Sequence, residues 1–321
     1  MTMDLYSWKL RILTVLFGIA IAMTFSLLIY GIMYYFYGIS GINVIYFLLI
    51  FVLFIDIIQW LFSPYIIGKA YKLIKVTSNS DYAYLRDIVN DVAIRNKMKP
   101  PDVYIAMNGT PNAFAYSSPV AGKRIAFTKS LLDTLNDDEI KAVAGHELGH
   151  LRHHDVELLM AIGLIPTIIF YLAYSMIFSG MGRRNSGNFL IMAVILFALS
   201  FLFNIMILGI NRMRESYADI NAAKTIPNGS ENLQNALGKI YSKTMPVKNK
   251  RNSATNMLLF SDGIENDLGR DYRSLVEKWK TMKTPLSIFS DHPHPAKRIQ
   301  TLEKYRNNYD MNNFEDLTFY K

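Results

Sequence analysis

The chain has no cysteine. That absence excludes disulfides, thiol nucleophiles and thiolate metal sites together, so any metal must be held by His, Asp or Glu. Histidine is scarce as well. The six histidines of the 321 residues fall in two clusters, His146, His150, His153 and His154 in one and His292 and His294 in the other. No nucleotide-binding loop, internal repeat or low-complexity tract is present. Charge is missing over long runs: residues 12–39 carry none and residues 43–68 only Asp56.

Each of those runs exceeds the roughly 20 residues that cross a bilayer core. A second uncharged pair lies at residues 158–182 and 189–210, where Pro166 and the glycines at 163, 180 and 182 suggest a bent third span. A hydrophobic content of 51% is more than one soluble core of this size needs, so the excess is expected in lipid, in about four spans. The first run is too long for a removable signal and lacks a cleavage site, so it is expected to be an anchor. Asp56 would be costly against lipid and should point into the protein or toward water, with a structural hydrogen bond as the expectation.

The net charge of +8 does not call for nucleic acid. Lys9, Arg11, Lys69, Lys72, Lys75, Arg212 and Arg214 all flank expected spans, where headgroup contact and the positive-inside bias account for them. They place the N terminus and the segments after spans two and four on the cytoplasmic side. Arg183 and Arg184 argue the other way for the second hairpin.

The most informative residues are His146-Glu147-Leu148-Gly149-His150. On a helix, positions i and i+4 share one face, so both imidazoles aim at one point, where a divalent ion, in the first place zinc, would fit. Glu147 lies beside that point, where a carboxylate can take a proton from an activated water without being a ligand. This is the chemistry of a zinc peptidase. Asn136 with Glu139 forms a capping box for the helix, and Asp137 and Asp138 suit its positive end.

The fold class expected is α+β, mainly helical, with a small antiparallel sheet. Residues 81–97 have the apolar spacing of an amphipathic helix stopped by Pro100 and Pro101. Short strands follow at 103–106, 113–117 and 124–128, separated by the turn formers Asn108-Gly109 and Gly122. Helices are expected at 231–243 and 271–282, with a basic loop at 248–253 between them and a last helix running from His294 to about Tyr305. The organisation is two spans (1–68), a first part of the catalytic domain (69–157), a second span pair (158–210) and a second part (211–321).

Two histidines leave a catalytic zinc site one protein ligand short. Glu215 in Arg214-Glu215-Ser216-Tyr217-Ala218-Asp219 can supply it, with Asp219 one turn on, placed to hydrogen-bond the other nitrogen of a ligand imidazole. Span three starts about eight residues after His150 and span four ends about five before Glu215, so helical rise puts both sets within roughly 8 to 12 Å of the membrane surface. His153 and His154 fall off the ligand face and read as interfacial residues.

At this point the chain resembles the HtpX-type integral-membrane zinc metalloproteases, relatives of the CAAX prenyl-protein proteases. The likeness runs from about residue 69 onward. It rests on the five-residue motif, on Arg214-Glu215 with Ala218-Asp219, on His292-Pro293 with Arg298-Ile299, and on Pro111-Asn112-Ala113-Phe114-Ala115. The resemblance implies a gluzincin-like catalytic domain holding one zinc ion through His146, His150 and Glu215, with Glu147 as base and then proton donor and Asp219 behind a ligand. It also implies a substrate-binding edge strand at Asn112, Ala113 and Phe114, to which a peptide adds as an extended strand. A histidine and an arginine six apart near the oxyanion correspond to His292 and Arg298, although His294 stands where relatives often have proline and competes with His292.

The expectation is then a multi-pass protein of the cell membrane whose partners are the bilayer and protein or peptide substrates, in an oligomeric state left open. Its active site would face the cytoplasm and turn over misfolded or damaged membrane proteins. A protease for prenylated C-terminal peptides is the nearest rival, disfavoured by only four spans. A silent zinc-stabilised scaffold is disfavoured by the intact Glu147, and a metal transporter by histidines that flank the spans without lining them.

Overall fold

The computed structural model describes residues 42–180, 186–244, 271–284, 290 and 292–307. The first expected span, the basic loop at 248–253 and Arg183 and Arg184 lie outside the described residues. In chain order the elements are α1 (Ile42–Ala70), β1 (Leu73–Lys75), α2 (Tyr84–Arg95), β2 (Asp102–Ala106), β3 (Ala113–Ser118), β4 (Gly122–Thr128), the single turn α3 (Lys129–Leu132) and α4 (Asp137–Arg152). After these come α5 (Asp155–Gly180), α6 (Ser186–Thr225), α7 (Gly229–Thr244), α8 (Tyr272–Thr281) and α9 (Pro295–Lys304).

Among the described residues three helices, α1, α5 and α6, are long and apolar enough to cross a membrane. Asp56 is half-buried in α1. In α5 the helix runs unbroken through Pro166, whose carbonyl accepts a hydrogen bond from the buried Ser200 hydroxyl of α6 at 2.9 Å. The helix α6 has 40 residues, about 60 Å at helical rise, and so does not stop where its apolar stretch stops. Residues 211–225, with Arg214, Glu215 and Asp219, continue the same helix.

The described residues form two compact units. One holds α1 up to Ile58, α5 from Ala161 and α6 to Met206; the other holds Gln59–Met160 and the described residues from Ile207 onward. The second unit has the hydrophobic core. The sheet's inner face (Val103, Ile105, Ile125, Phe127) meets Leu85, Val89 and Val92 of α2 and Ile140, Ala144 and Leu148 of α4. Leu233, Leu275, Trp279, Ile299 and Leu302 extend the same cluster through α7, α8 and α9. The sheet's other face meets the end of α1: Arg124 lies over the rings of Tyr65 and Tyr104, Tyr71 packs on Phe114, and the Ser118 hydroxyl donates to the Leu61 carbonyl at 2.9 Å.

The sheet differs from the expected antiparallel one. Its order is β1-β2-β4-β3, and β2 pairs with β4 in parallel while the outer pairs are antiparallel. The six-residue connection 107–112, turned by Gly109 at φ +118°, is long enough to carry β3 past one strand's width of about 4.8 Å. The tight return at Gly122, φ +71°, then folds β4 into the gap. The short strand β1 has only three residues and half-exposed or exposed side chains, too little alternation to be read in advance.

Two glycines bring α4 and α6 together. A Cβ on Gly149 would lie 3.2 Å from the Ala218 Cα, and one on Gly145 would lie 3.4 Å from the Ala222 Cα and 2.8 Å from the Ile226 side chain. Asn221, fully buried, fastens the crossing by donating to the Gly145 carbonyl and to Asn96 Oδ1, both at 2.8 Å.

Candidate metal centre

Helix α4 starts where the capping box places it. Asn136 accepts from the Glu139 N–H at 2.9 Å, and Glu139 Oε2 accepts from the Asn136 N–H at 3.0 Å. Two turns on, His146 and His150 project from one face with their rings edge to face, 4.8 Å between centroids. Glu215 reaches them from α6. The Nε2 atoms of His146 and His150 are 3.3 Å apart, and Glu215 lies 3.6 Å from the first and 3.8 Å from the second. Ligand atoms around a tetrahedral ion with bonds of about 2.1 Å are separated by roughly 3.4 Å, so the three groups have the spacing of a metal site.

The tautomers make the case stronger than the spacing. Asp219 Oδ1 is 2.9 Å from Nδ1 of His146, and Asp155 Oδ2 is 2.6 Å from Nδ1 of His150. A carboxylate only accepts, so both Nδ1 atoms carry a proton, and in the neutral ring that leaves the lone pair on Nε2. With both rings in that tautomer the 3.3 Å contact between those nitrogens has no proton to share. It is a pair of acceptors facing each other, an arrangement that a cation between them satisfies.

Behind each imidazole stands an aspartate, and behind each aspartate an arginine. Arg298 of α9 grips Asp219 with two N–H groups, Nη2 to Oδ1 at 2.7 Å and Nε to Oδ2 at 3.0 Å. Its Nη1 is 3.6 Å from Glu215. Arg214 of α6 pairs with Asp155 and also donates to the His153 carbonyl at 3.2 Å. These contacts correct one expectation, since Arg214 is spent inside the protein. Arg212 likewise donates to the Ser290 carbonyl at 2.8 Å, and Lys75 pairs with Asp102 at 2.8 Å.

Glu147 is half-buried, and its Oε2 accepts from the Ala115 N–H of β3 at 2.9 Å. Burial pushes its pKa above the usual glutamate value, against the pull of His146 and His150. Burial alone would raise Glu215 too. The His292 hydrogen bond and the Arg298 guanidinium outweigh that and hold Glu215 well below the ordinary range, as an anion.

The other sequence-derived residues are placed as follows. His292 is half-exposed and its Nδ1 is 3.0 Å from Glu215 Oε1. His294 is buried and caps α9, its Nδ1 accepting from the Ala296 N–H at 3.1 Å. The two histidines thus have different jobs. Strand β3 is an edge of the sheet. Asn112 exchanges hydrogen bonds with Thr128, so in an antiparallel ladder Asn112, Phe114 and Tyr116 turn their main chain toward β4, while Ala113 and Ala115 turn theirs outward. Sequence reasoning missed Asp155, Arg214 in its inward role, and the Ala115 N–H.

Opposed histidine nitrogens, a carboxylate from a second helix and a glutamate alongside, held by the Ala115 N–H, are the arrangement of a metallopeptidase centre. A model of Peptidase family M48 matches residues 79–306, and the chain belongs to that family. It is 73% identical over 307 residues to a protease HtpX homolog of Picrophilus torridus, covering 96% of this chain and 100% of that one. It is 50% identical to a protease HtpX homolog of Thermoplasma volcanium, covering 92% and 94%. The fold also matches the crystal structure of S. mikatae Ste24p at a TM-score of 0.55 and 18% identity, over 94% of this chain and 67% of that chain. The protein is a membrane metalloprotease, and the family implies a metal at the centre.

His153 supplies a pH test of the surroundings. Burial, with the charges of Arg214 and Arg152, lowers its pKa from 6.5 to about 4. A folded value below the unfolded one means that the fold prefers the neutral ring. The stability this brings is complete above pH 6.5 and is lost as pH falls toward about 4. Melting temperatures from neutral pH to pH 4.5 should therefore drop less for His153→Gln than for the unaltered protein. Parallel curves would remove His153 from the account.

Proposed function

We propose that the protein is a zinc endopeptidase that hydrolyses peptide bonds of misfolded or damaged membrane proteins at the cytoplasmic face. The observation that carries the chemistry is the pair of opposed Nε2 lone pairs completed by Glu215. Nitrogen and carboxylate donors in this number suit zinc and leave a position open for water. Zinc bound there would supply Lewis acidity and lower the pKa of a water.

The rest falls to the chain's own residues. Glu147 takes the proton of the attacking water at its carboxylate. The water oxygen adds to the carbonyl carbon, and Glu147 then passes the proton to the leaving nitrogen as the carbon–nitrogen bond breaks. A raised pKa suits a group that must both accept and return a proton. The peptide lies along the outer edge of β3, pairing with the main chain of Ala113, with the Asn112 side chain within reach and the Phe114 ring flanking the strand. Because Ala115 also holds Glu147, the docking edge and the base are fixed to one another.

His292, half-exposed beside Glu215, is positioned to donate to the oxyanion as it develops. Arg298 acts through Asp219 on His146 and is a positioning residue in this reading. The cytoplasmic orientation is supported by Lys9, Arg11, Lys69 and Lys72 beside the spans. Protease activity is supported by the kinship with protease HtpX homologs, and the quality-control role is what the family resemblance implies.

Detergent-purified protein should cleave an unfolded substrate, lose that activity to a chelator and regain it with zinc. Glu147→Gln should keep stoichiometric zinc and lose turnover, whereas Glu215→Ala should lose the metal; normal turnover by Glu147→Gln would end the mechanism. His292→Ala should lower kcat on the order of 100 to 1,000-fold with little change in KM. His294→Ala should instead cost about 1 kcal/mol of stability as a lost helix cap. A kcat loss confined to the His294 variant would reverse the two assignments. A reporter fused after Lys321 should be cytoplasmic, and an external reporter would refute the orientation.

A further inference from the structure

The residues His150, Asp155 and Arg214 form a relay that nothing in the ligand set requires and that the motif does not announce. Five residues apart on an unbroken helix, His150 and Asp155 would point about 140° away from each other. The chain breaks the helix between them. His153 ends α4 at φ −89°, ψ 5°, and His154 takes the left-handed conformation at φ +54°, so that α5 begins by turning Asp155 back toward the metal face. A non-glycine residue in that conformation carries a local cost, held here by the surrounding structure.

The result is a 2.6 Å contact from Asp155 Oδ2 to Nδ1 of His150, with the other carboxylate oxygen paired to Arg214. Both partners are nearly inaccessible: 8% of the Asp155 side chain and 10% of the Arg214 side chain are exposed. A buried carboxylate of this kind needs compensation, and here it comes from one hydrogen-bond donor and one cation. The same design stands on the other side of the centre in His146, Asp219 and Arg298. The relays share α4 and α6 and differ in the third helix. The His150 relay joins α4, the start of α5 and α6, and the His146 relay joins α4, α6 and α9.

We infer that Asp155 and Arg214 are positioning residues for the metal centre: Asp155 fixes the tautomer and ring plane of His150, and Arg214 holds Asp155 in place. This rests on the zinc-site reading above. The relay determines how tightly the metal is held, by keeping the His150 Nε2 lone pair aimed before the ion arrives.

Zinc affinity of the full-length protein in detergent, measured by competition with a chelator, tests it alongside the melting temperature of chelator-stripped protein. Asp155→Ala should bind zinc roughly 10 to 100-fold more weakly, the usual cost of losing such a partner. Asp155→Asn keeps an acceptor oxygen and should stay within a few-fold of the unaltered protein. Arg214→Met should also weaken binding, but adding it to Asp155→Ala should produce no further loss, because one relay cannot be broken twice. Unchanged affinity in Asp155→Ala, or losses that simply multiply in the double variant, would overturn the inference. So would a lower melting temperature of stripped Asp155→Ala with zinc affinity intact, which is the mark of a purely structural contact. Failure of the unaltered protein to bind zinc at all would instead strike the zinc reading itself.

Discussion

The close crossing of α4 and α6 is the constraint on which the centre depends. Gly145 and Gly149, one turn apart, admit the backbone of α6 at Ala222 and Ala218 to distances that any side chain would increase. Each glycine is followed directly by a candidate ligand histidine, about 100° further round the helix, so the contact stripe and the candidate ligand stripe run side by side. On the other helix Asp219 follows Ala218 in the same way, with Glu215 one turn earlier. Separating the helices by even one methyl group would move Glu215 away from both histidines at once.

Much of this was legible in the sequence because the signals are local. The pairing of His146 with His150 follows from helical spacing, the start of α4 from Asn136 and Glu139, and the spans from uncharged runs. What could not be read depends on geometry between distant segments. The sheet was expected to be antiparallel because three short strands with turns between them give no information about insertion; β4 enters between β2 and β3 only because the 107–112 connection is wide enough. Asp155 gave no signal in the sequence, since its relation to His150 exists only after the reversal at His154. Arg214 looked like a membrane-flanking cation for the same reason. The continuity of α6 through Glu215 was hidden by the change from apolar to charged residues, which resembles an end and is only a change of surroundings.

The hydrogen bond from Ala115 to Glu147 gives the sheet a place in the chemistry. Strand β3 has one side committed to β4 and, among the described residues, no strand on the other, where the outward N–H of Ala115 meets the glutamate. The end of α1 packs against the same strand through Tyr71 and Phe114, so the position of the glutamate is set by α4 on one side and by a supported strand on the other.

The centre can also be considered as a sum of charges. Four carboxylates, Glu147, Asp155, Glu215 and Asp219, are gathered with two guanidiniums, Arg214 and Arg298, around the imidazoles of His146 and His150. With all four carboxylates ionised and both rings neutral, the cluster lacks two positive charges. In a site so largely withdrawn from water that deficit is expensive, and a divalent ion removes it completely whereas a monovalent one would not. In that charge state the surrounding residues favour a divalent ion, so electroneutrality acts alongside the geometry of the three candidate ligand atoms.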